Sequence, residues 1–337
     1  MHGNFYVWNP HPESSSCRTS LLPPTAMKAG NQSTVTEFIL LGFTNYPELQ
    51  VIFFLLFLLV YTFTLLGNIS LLLIVWCSAN LHTPMYFFLT QLSFLDLTFA
   101  SVFAPKMLLD LIGKKKTISF YGCVTQMFFF AAIGSTEFFL LAVMAFDRYV
   151  AVCSPLLYTL TMSQRLCVRL VAGSYVGGFL HSLIHASCLQ RLYFCGPNVM
   201  NHYACDYPVL LKLSCNDISI NDSLRFVFAA FVVISSLLVI VVSYSYIVTA
   251  ILRITTTARR HRAASTCISH FTCVFFFYGT AFFMEIRPNS ASSEEQYKMV
   301  SVIPTVVVPA LNPLIYSLRN NEVKEALRKL LYQTSCW

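Results

Sequence analysis

The stretch MAFDRYVAVCSPLLY, Met144 to Tyr158, decides how this chain is read. A long apolar run ends there in Asp147, Arg148 and Tyr149, and a proline follows at position 155. On insertion scales a charged side chain at mid-bilayer costs about 2.5 to 3.5 kcal/mol, and less near the surface. The acid and the arginine therefore place this end of the run at a membrane face, where they meet another helix or a soluble partner. Taken alone the tripeptide is also an ordinary interfacial anchor, so its surroundings carry the decision.

Those surroundings read as membrane. Of 337 residues, 56% are hydrophobic and 11% charged, against roughly 25% charged in a soluble domain. A transmembrane helix needs about 20 mostly apolar residues. Seven stretches qualify: about Leu49 to Trp76, Pro84 to Ile112, Cys123 to Cys153, Leu166 to Leu189, Leu224 to Leu252, Ala263 to Ile286 and Met299 to Leu318. The predicted fold is an all-α membrane protein, a seven-transmembrane helix bundle over residues 49–318. The net charge of +7 does not suggest nucleic acid, because the bases are scattered among apolar segments.

Residues 1–26 are rich in Ser, Pro and His and read as a disordered extension, with Met27 as an alternative start. Residues 27–48 form the segment before the first span. In the tail, 319–337, Asn321 to Leu331 places Val323, Ala326, Leu327, Leu330 and Leu331 on one side, the pattern of a short amphipathic helix.

Lys and Arg divide evenly between the two faces, so the positive-inside rule gives no orientation. The sequon Asn31-Gln-Ser lies on the same side as the long loop holding Cys195, Cys205 and Cys215. Glycans and disulfides belong to the lumen and cell exterior. This predicts an extracellular N-terminus, a cytoplasmic Arg148 and C-terminus, and a glycan at Asn31. Cys123, at the outer end of the third span, joins the three loop cysteines, and four cysteines allow three pairings. A zinc site from His202 and Cys205 requires Cys205 to be unbridged.

Inside the membrane, Glu137 lies eleven residues before Arg148, close to three helical turns, so they share a face with Gly134, Phe130, Met127 and Cys123. Asp96 sits at similar depth in the second span. Two such acids either share a proton, flank a cation such as sodium, or each hydrogen-bond a neighbouring helix. No other cofactor is called for. In the seventh span Pro313 interrupts the helix and frees a carbonyl, with Asn312 and Asn68 available to satisfy it. In the sixth, Tyr278-Gly279-Thr280 sets polar groups in an aromatic wall, the composition of an apolar ligand pocket.

Together these pieces resemble an odorant receptor of the rhodopsin-like G-protein-coupled family. The motifs are LHTPMYFFL (Leu81 to Leu89), MAFDRYVAVCSPLLY, Ser243-Tyr244, RAASTCISH (Arg262 to His270) and PALNPLIYSLRN (Pro309 to Asn320). The likeness covers Met27 to Leu331. HRAA stands where the family usually carries a Lys-Ala-Phe run, and Phe146 where Tyr is common.

The resemblance implies pairing of Cys123 with Cys205 and of Cys195 with Cys215. It implies a switch for a stimulatory heterotrimeric G protein from Asp147, Arg148, Tyr149, Tyr244 and Tyr316, with Asn312 and Pro313 as pivot. It implies a pocket for a small, mostly apolar volatile lined by Phe130, Ala131, Gly134, Ser135, Phe228, Val232, Tyr278, Ala281, Glu285, Val302 and Thr305. Asp96 and Glu137 match the family's intramembrane acid pair. Signalling through cAMP at the plasma membrane follows.

Other classes fare worse. A receptor for a non-odorant small molecule outside the nose has the same residues. An ion-translocating protein using Asp96 and Glu137 lacks inverted repeats. A retinal-type pump needs a lysine deep in the seventh span, and Lys298 is expected at its outer edge. No nucleophile with a nearby base and no phosphate loop suggests an enzyme.

Overall fold

The computed structural model describes residues 35–43, 47–194, 197–285, 291–318 and 321–334. Among these residues, seven helices are long and apolar enough to cross a membrane. They are α1 (Gln50–Cys77), α2 (Pro84–Ile112), α3 (Phe120–Cys153), α4 (Gln164–Leu189), α5 (Ser219–Arg253), α6 (Thr257–Glu285) and a seventh span in two pieces, α7 (Ala291–Val302) and α8 (Val308–Leu318). Local chemistry sets several of the starts. Pro84 opens α2, where its missing N–H is no loss. Ser119 caps α3 by accepting from the Gly122 N–H at 3.1 Å.

The bundle is apolar outside and polar within. Leu59, Trp76, Val176 and Ile234 are exposed on the rim, while Asn68, Asp96, Glu137, His270 and Asn312 are buried. Lipid offers no hydrogen bonds, so polar groups turn toward one another. The expected inner stripe of α3 is there: Cys123, Met127, Glu137 and Arg148 are buried and Gly134 and Phe130 half-buried. Close approach of α4 to α3 depends on Gly178, where an added Cβ would lie 2.2 Å from Thr136 Oγ1 and 2.6 Å from the Ala132 carbonyl oxygen.

The seventh span departs from expectation. Pro313 lies within α8, and the helix continues through it. The break in α-helical register comes earlier, in a π turn at Ile303–Val307 that contains Pro304. Pro313 removes only one hydrogen bond, because it lacks the N–H that the Pro309 carbonyl would receive. Asn68 Nδ2 fills that gap at 3.0 Å.

One end of the bundle carries a small sheet that the sequence reading lacked. β1 (Glu37–Leu40) pairs antiparallel with β2 (Thr117–Ser119) and parallel with β3 (Val199–Met200). Cys123 and Cys205 are joined there. Cys215 is disulfide-bonded, and its expected partner Cys195 lies outside the described residues, as do Asn31 and the 1–26 extension. Lys298 lies near the outer end of the seventh span, as expected, and is fully buried there. It donates to the Gly42 carbonyl at 2.9 Å and to Asn201 Oδ1 at 3.1 Å, and pairs with Glu295 at 3.0 Å. Gly42 turns the chain toward it with a φ of 54°.

At the other end the tail forms α9 (Asn321–Thr334). Val323 and Ala326 face the bundle, whereas Leu327 is 42% exposed. The side chains of Leu330 and Leu331 are outside the described residues. The Tyr86 hydroxyl donates to Glu322 Oε2 at 2.7 Å, so the LHTPMYFFL segment holds the tail helix in place.

Candidate functional site

A cavity of about 1070 Å³ lies between α3, α4, α5 and α6 and the short helix Tyr207–Lys212. It forms because α3 presents small residues where the neighbouring helices present bulky ones. Gly134 has no atom within 4 Å of where a Cβ would lie. Of the expected pocket residues, Phe130, Ala131, Gly134, Ser135, Val232, Ala281 and Glu285 line the cavity.

Four do not. Phe228 packs edge-on against the rings of His181 and His185, at 6.4 and 6.3 Å between centroids. Tyr278 stands behind Phe138, 4.8 Å between ring centroids, and its hydroxyl donates to Ser236 Oγ at 2.7 Å. Thr305 shares a hydrogen bond of 2.8 Å with the Tyr203 hydroxyl. Val302 is half-buried against the core, and Pro304 lines the cavity instead. The π turn accounts for the last two: its wider winding rotates the side chains of this segment away from the α register that spacing assumes.

The cavity wall also carries polar groups absent from the sequence expectation: His181, His185, Tyr207 and Arg225. The spacing of His181 and His185, one helical turn apart in an otherwise apolar span, was a usable signal. Arg225 binds both oxygens of Glu285 at 2.7 and 2.8 Å and Asp222 Oδ1 at 3.1 Å. Glu285 is thus half of an ion pair that clasps α5 to α6.

At the opposite end the Tyr158 hydroxyl donates to Asp147 at 2.9 Å. Burial, and then the Asp147 carboxylate, hold this phenol above its ordinary range, so it stays a donor. Arg148 is buried and makes no ion pair among the described residues. Tyr149 meets Tyr246 at 5.5 Å between ring centroids.

Close by, His270 bridges three helices. Its Nε2 lies 3.1 Å from the Leu141 carbonyl oxygen and its Nδ1 lies 2.8 Å from the Tyr244 hydroxyl. A carbonyl only accepts, so Nε2 carries the proton and Nδ1 is an acceptor for the Tyr244 hydroxyl, whose one proton is shared with the Cys267 carbonyl oxygen at 3.1 Å. Tyr316 is buried in the same region.

Comparison with known proteins fits a seven-span bundle with such a cavity. The olfactory receptor family profile matches residues 57–334. The chain belongs to the olfactory receptor family. It is 51% identical to olfactory receptor 5AP2 of Mus musculus over 302 residues, 90% of this chain and 95% of that protein. It is 50% identical to olfactory receptor 5A1 of Homo sapiens over 304 residues, 90% and 96% of the two chains. With olfactory receptor 5D18 of Homo sapiens the identity is 52% over 296 residues, 88% and 95%.

In this olfactory receptor the acid pair lies midway between the two ends. Asp96 and Glu137 are both buried. Asn312 Nδ2 donates to both Asp96 oxygens, at 3.0 and 3.1 Å. The Oδ1 atoms of Asn312 and Asn68 are buried acceptors without a hydrogen-bond partner among the described residues. Carboxylates with spare amide oxygens are the donor set a hard cation takes, so the receptor's residues fit a sodium ion. No cluster of three or more His, Cys, Asp or Glu suited to a metal occurs among the described residues. His202, weighed for zinc with Cys205, instead bonds Ser301 Oγ at 3.1 Å and the Ala204 backbone.

Proposed function

We propose that this receptor binds a small, mostly apolar volatile in the cavity and in response admits a stimulatory heterotrimeric G protein at the Arg148 end, raising cAMP. The disulfide end faces the exterior of the plasma membrane and the Arg148 end the cytoplasm. The observation that carries the reading is one cavity of about 1070 Å³ whose walls include α3, α5 and α6, the helices that His270 fastens together nearer Arg148. A guest that repositions α6 against α3 acts on that fastening.

A ligand shifts such an equilibrium only by its differential affinity for the two states. Dispersion contacts with Phe130, Phe138, Val232 and Ala281 supply most of the binding. Tyr278 acts through Phe138, which it buttresses. Asp147, Arg148, Tyr149, Tyr244 and Tyr316 form the switch, with Asn312 and Pro313 in the segment that pivots. Asp96 and Glu137, with the amide oxygens of Asn312 and Asn68, would hold a sodium ion that favours the closed state.

The test is a cAMP reporter screen of volatiles in cells bearing the Met1 and Met27 forms, with Arg148→Ala alongside. Odorant-evoked cAMP lost in Arg148→Ala at measurable surface expression supports the reading. Full signalling in that variant removes the switch.

A further inference from the structure

Two buried polar atoms on the cavity wall have no hydrogen-bond partner among the described residues, and they belong to touching rings. They are His185 Nδ1 and the Tyr207 hydroxyl. The two rings stack with centroids 5.2 Å apart, and both residues line the cavity. His185 is 4% exposed and Tyr207 5%. An unmade hydrogen bond at a buried polar atom is unfavourable, and native chains leave few. Two on one wall of a ligand cavity mark a place where the partner comes from outside the chain.

Behind His185 runs a relay. His185 Nε2 lies 3.0 Å from His181 Nε2, and His181 Nδ1 lies 2.8 Å from Ser135 Oγ. A neutral imidazole carries one donor and one acceptor. When Ser135 donates to His181, His181 donates to His185 and leaves Nδ1–H of His185 as a donor. With both tautomers reversed, His185 Nδ1 is an acceptor. The end of the relay therefore takes either polarity. Tyr207 is a steadier donor, since burial pushes its phenol up to about 12.

We infer that His185 and Tyr207, backed by His181 and Ser135, form a subsite for a neutral oxygen head group on the ligand: an alcohol, aldehyde or ketone. The inference rests on the odorant-receptor reading above. An alcohol accepts from Tyr207 and donates to His185; a carbonyl accepts from both. The open space at Gly134, beside Ser135, gives the apolar tail somewhere to go. Carboxylic acids are disfavoured. The described lining carries Asp206, Asp222, Glu285 and Glu294 against only Arg225 and Lys212. Arg225 is already held by Asp222 and Glu285, and Lys212 by Glu294.

The test uses the full-length receptor in cells, with cAMP output normalised to surface expression. The probes are alkanes, alcohols, aldehydes, ketones and carboxylic acids of matched chain length. Alcohols and carbonyl compounds should be the most potent. His185→Phe and Tyr207→Phe should each weaken them by roughly tenfold, toward the potency of the matched alkane, and leave the alkane itself unchanged. Tyr207→Phe removes only an oxygen that has no hydrogen-bond partner among the described residues, so it keeps the test open should His185→Phe misfold.

Alkanes or acids as potent as alcohols in the unaltered receptor would overturn the subsite. So would equal loss for alkanes and oxygenated probes in the variants. A receptor that answers no volatile at any concentration overturns the reading beneath it.

Discussion

Asn68 in α1 donates through Nδ2 to the carbonyl oxygen of Pro309 at 3.0 Å, a contact across 241 residues of sequence. That carbonyl is the one Pro313 leaves unserved. Gly67, next to Asn68, lets the helices meet: a Cβ there would lie 3.0 Å from Pro313 Cγ. The relationship joins the first and seventh spans at the point where the seventh is least regular. Replacing Asn68 by Leu leaves a buried carbonyl unsatisfied, at about 1–3 kcal/mol. Surface expression and thermal stability of the purified receptor should both fall, and unchanged values would show that the carbonyl finds another donor.

Two glycines should behave oppositely. Gly178→Ala drives a Cβ to 2.2 Å from Thr136 Oγ1 and 2.6 Å from a backbone oxygen, so α4 must move off α3, at about 1–3 kcal/mol or more. Gly134→Ala meets nothing within 4 Å and should keep stability while shortening the longest agonist tolerated. Surface expression reports the first and a chain-length series the second; equal effects on expression would contradict the packing described for α3.

His270 fastens α6 to α3 and α5 through the Leu141 carbonyl and the Tyr244 hydroxyl. Losing both bonds at about 0.5–1.5 kcal/mol each should raise the open fraction. His270→Ala is therefore expected to increase agonist-free cAMP by roughly fivefold or more at equal surface expression. Basal output at or below that of the unaltered receptor would mean the bridge does not restrain α6.

The sodium ion proposed between Asp96 and Glu137 would favour the closed state and so oppose agonist. Replacing extracellular sodium by choline should increase agonist potency by roughly fivefold or more. Asp96→Asn should abolish the sodium dependence. A potency indifferent to sodium in the unaltered receptor would leave the pair sharing a proton instead.

Breaking the Cys123 to Cys205 bond releases the loop that carries His202, Tyr203 and Tyr207 over the cavity mouth. Cys205→Ser should cost about 2–5 kcal/mol and remove the receptor from the cell surface. Normal surface levels with normal odorant response would show that β3 and Lys298 hold the loop unaided.

The spans were legible because lipid imposes one rule on every residue of a crossing helix. The α3 stripe from Cys123 to Arg148 was legible for a related reason, since helical periodicity places its residues on one face whatever the neighbours are. The strands at Glu37, Thr117 and Val199 were not. Each is two to four residues long, and their hydrogen bonds go to partners far away in sequence, so no local pattern announces them. The burial of Lys298 was not legible for the same reason, because it depends on Gly42 and Asn201 folding over it. The π turn at Ile303–Val307 shifted the register of the seventh span, so Pro304 took the place assumed for Val302 and Thr305.

The sequence by itself determined the seven crossings, the charged end at Arg148 and the family. These depend on hydropathy, helical period and local motif, which are properties of neighbours along the chain. Only the tertiary structure decided that Asn68 serves the Pro309 carbonyl, that Glu285 is committed to Arg225, and that His185 and Tyr207 share a wall of the cavity. Each joins groups from different helices across a few ångströms, and such distances are fixed by packing that no one-dimensional period encodes.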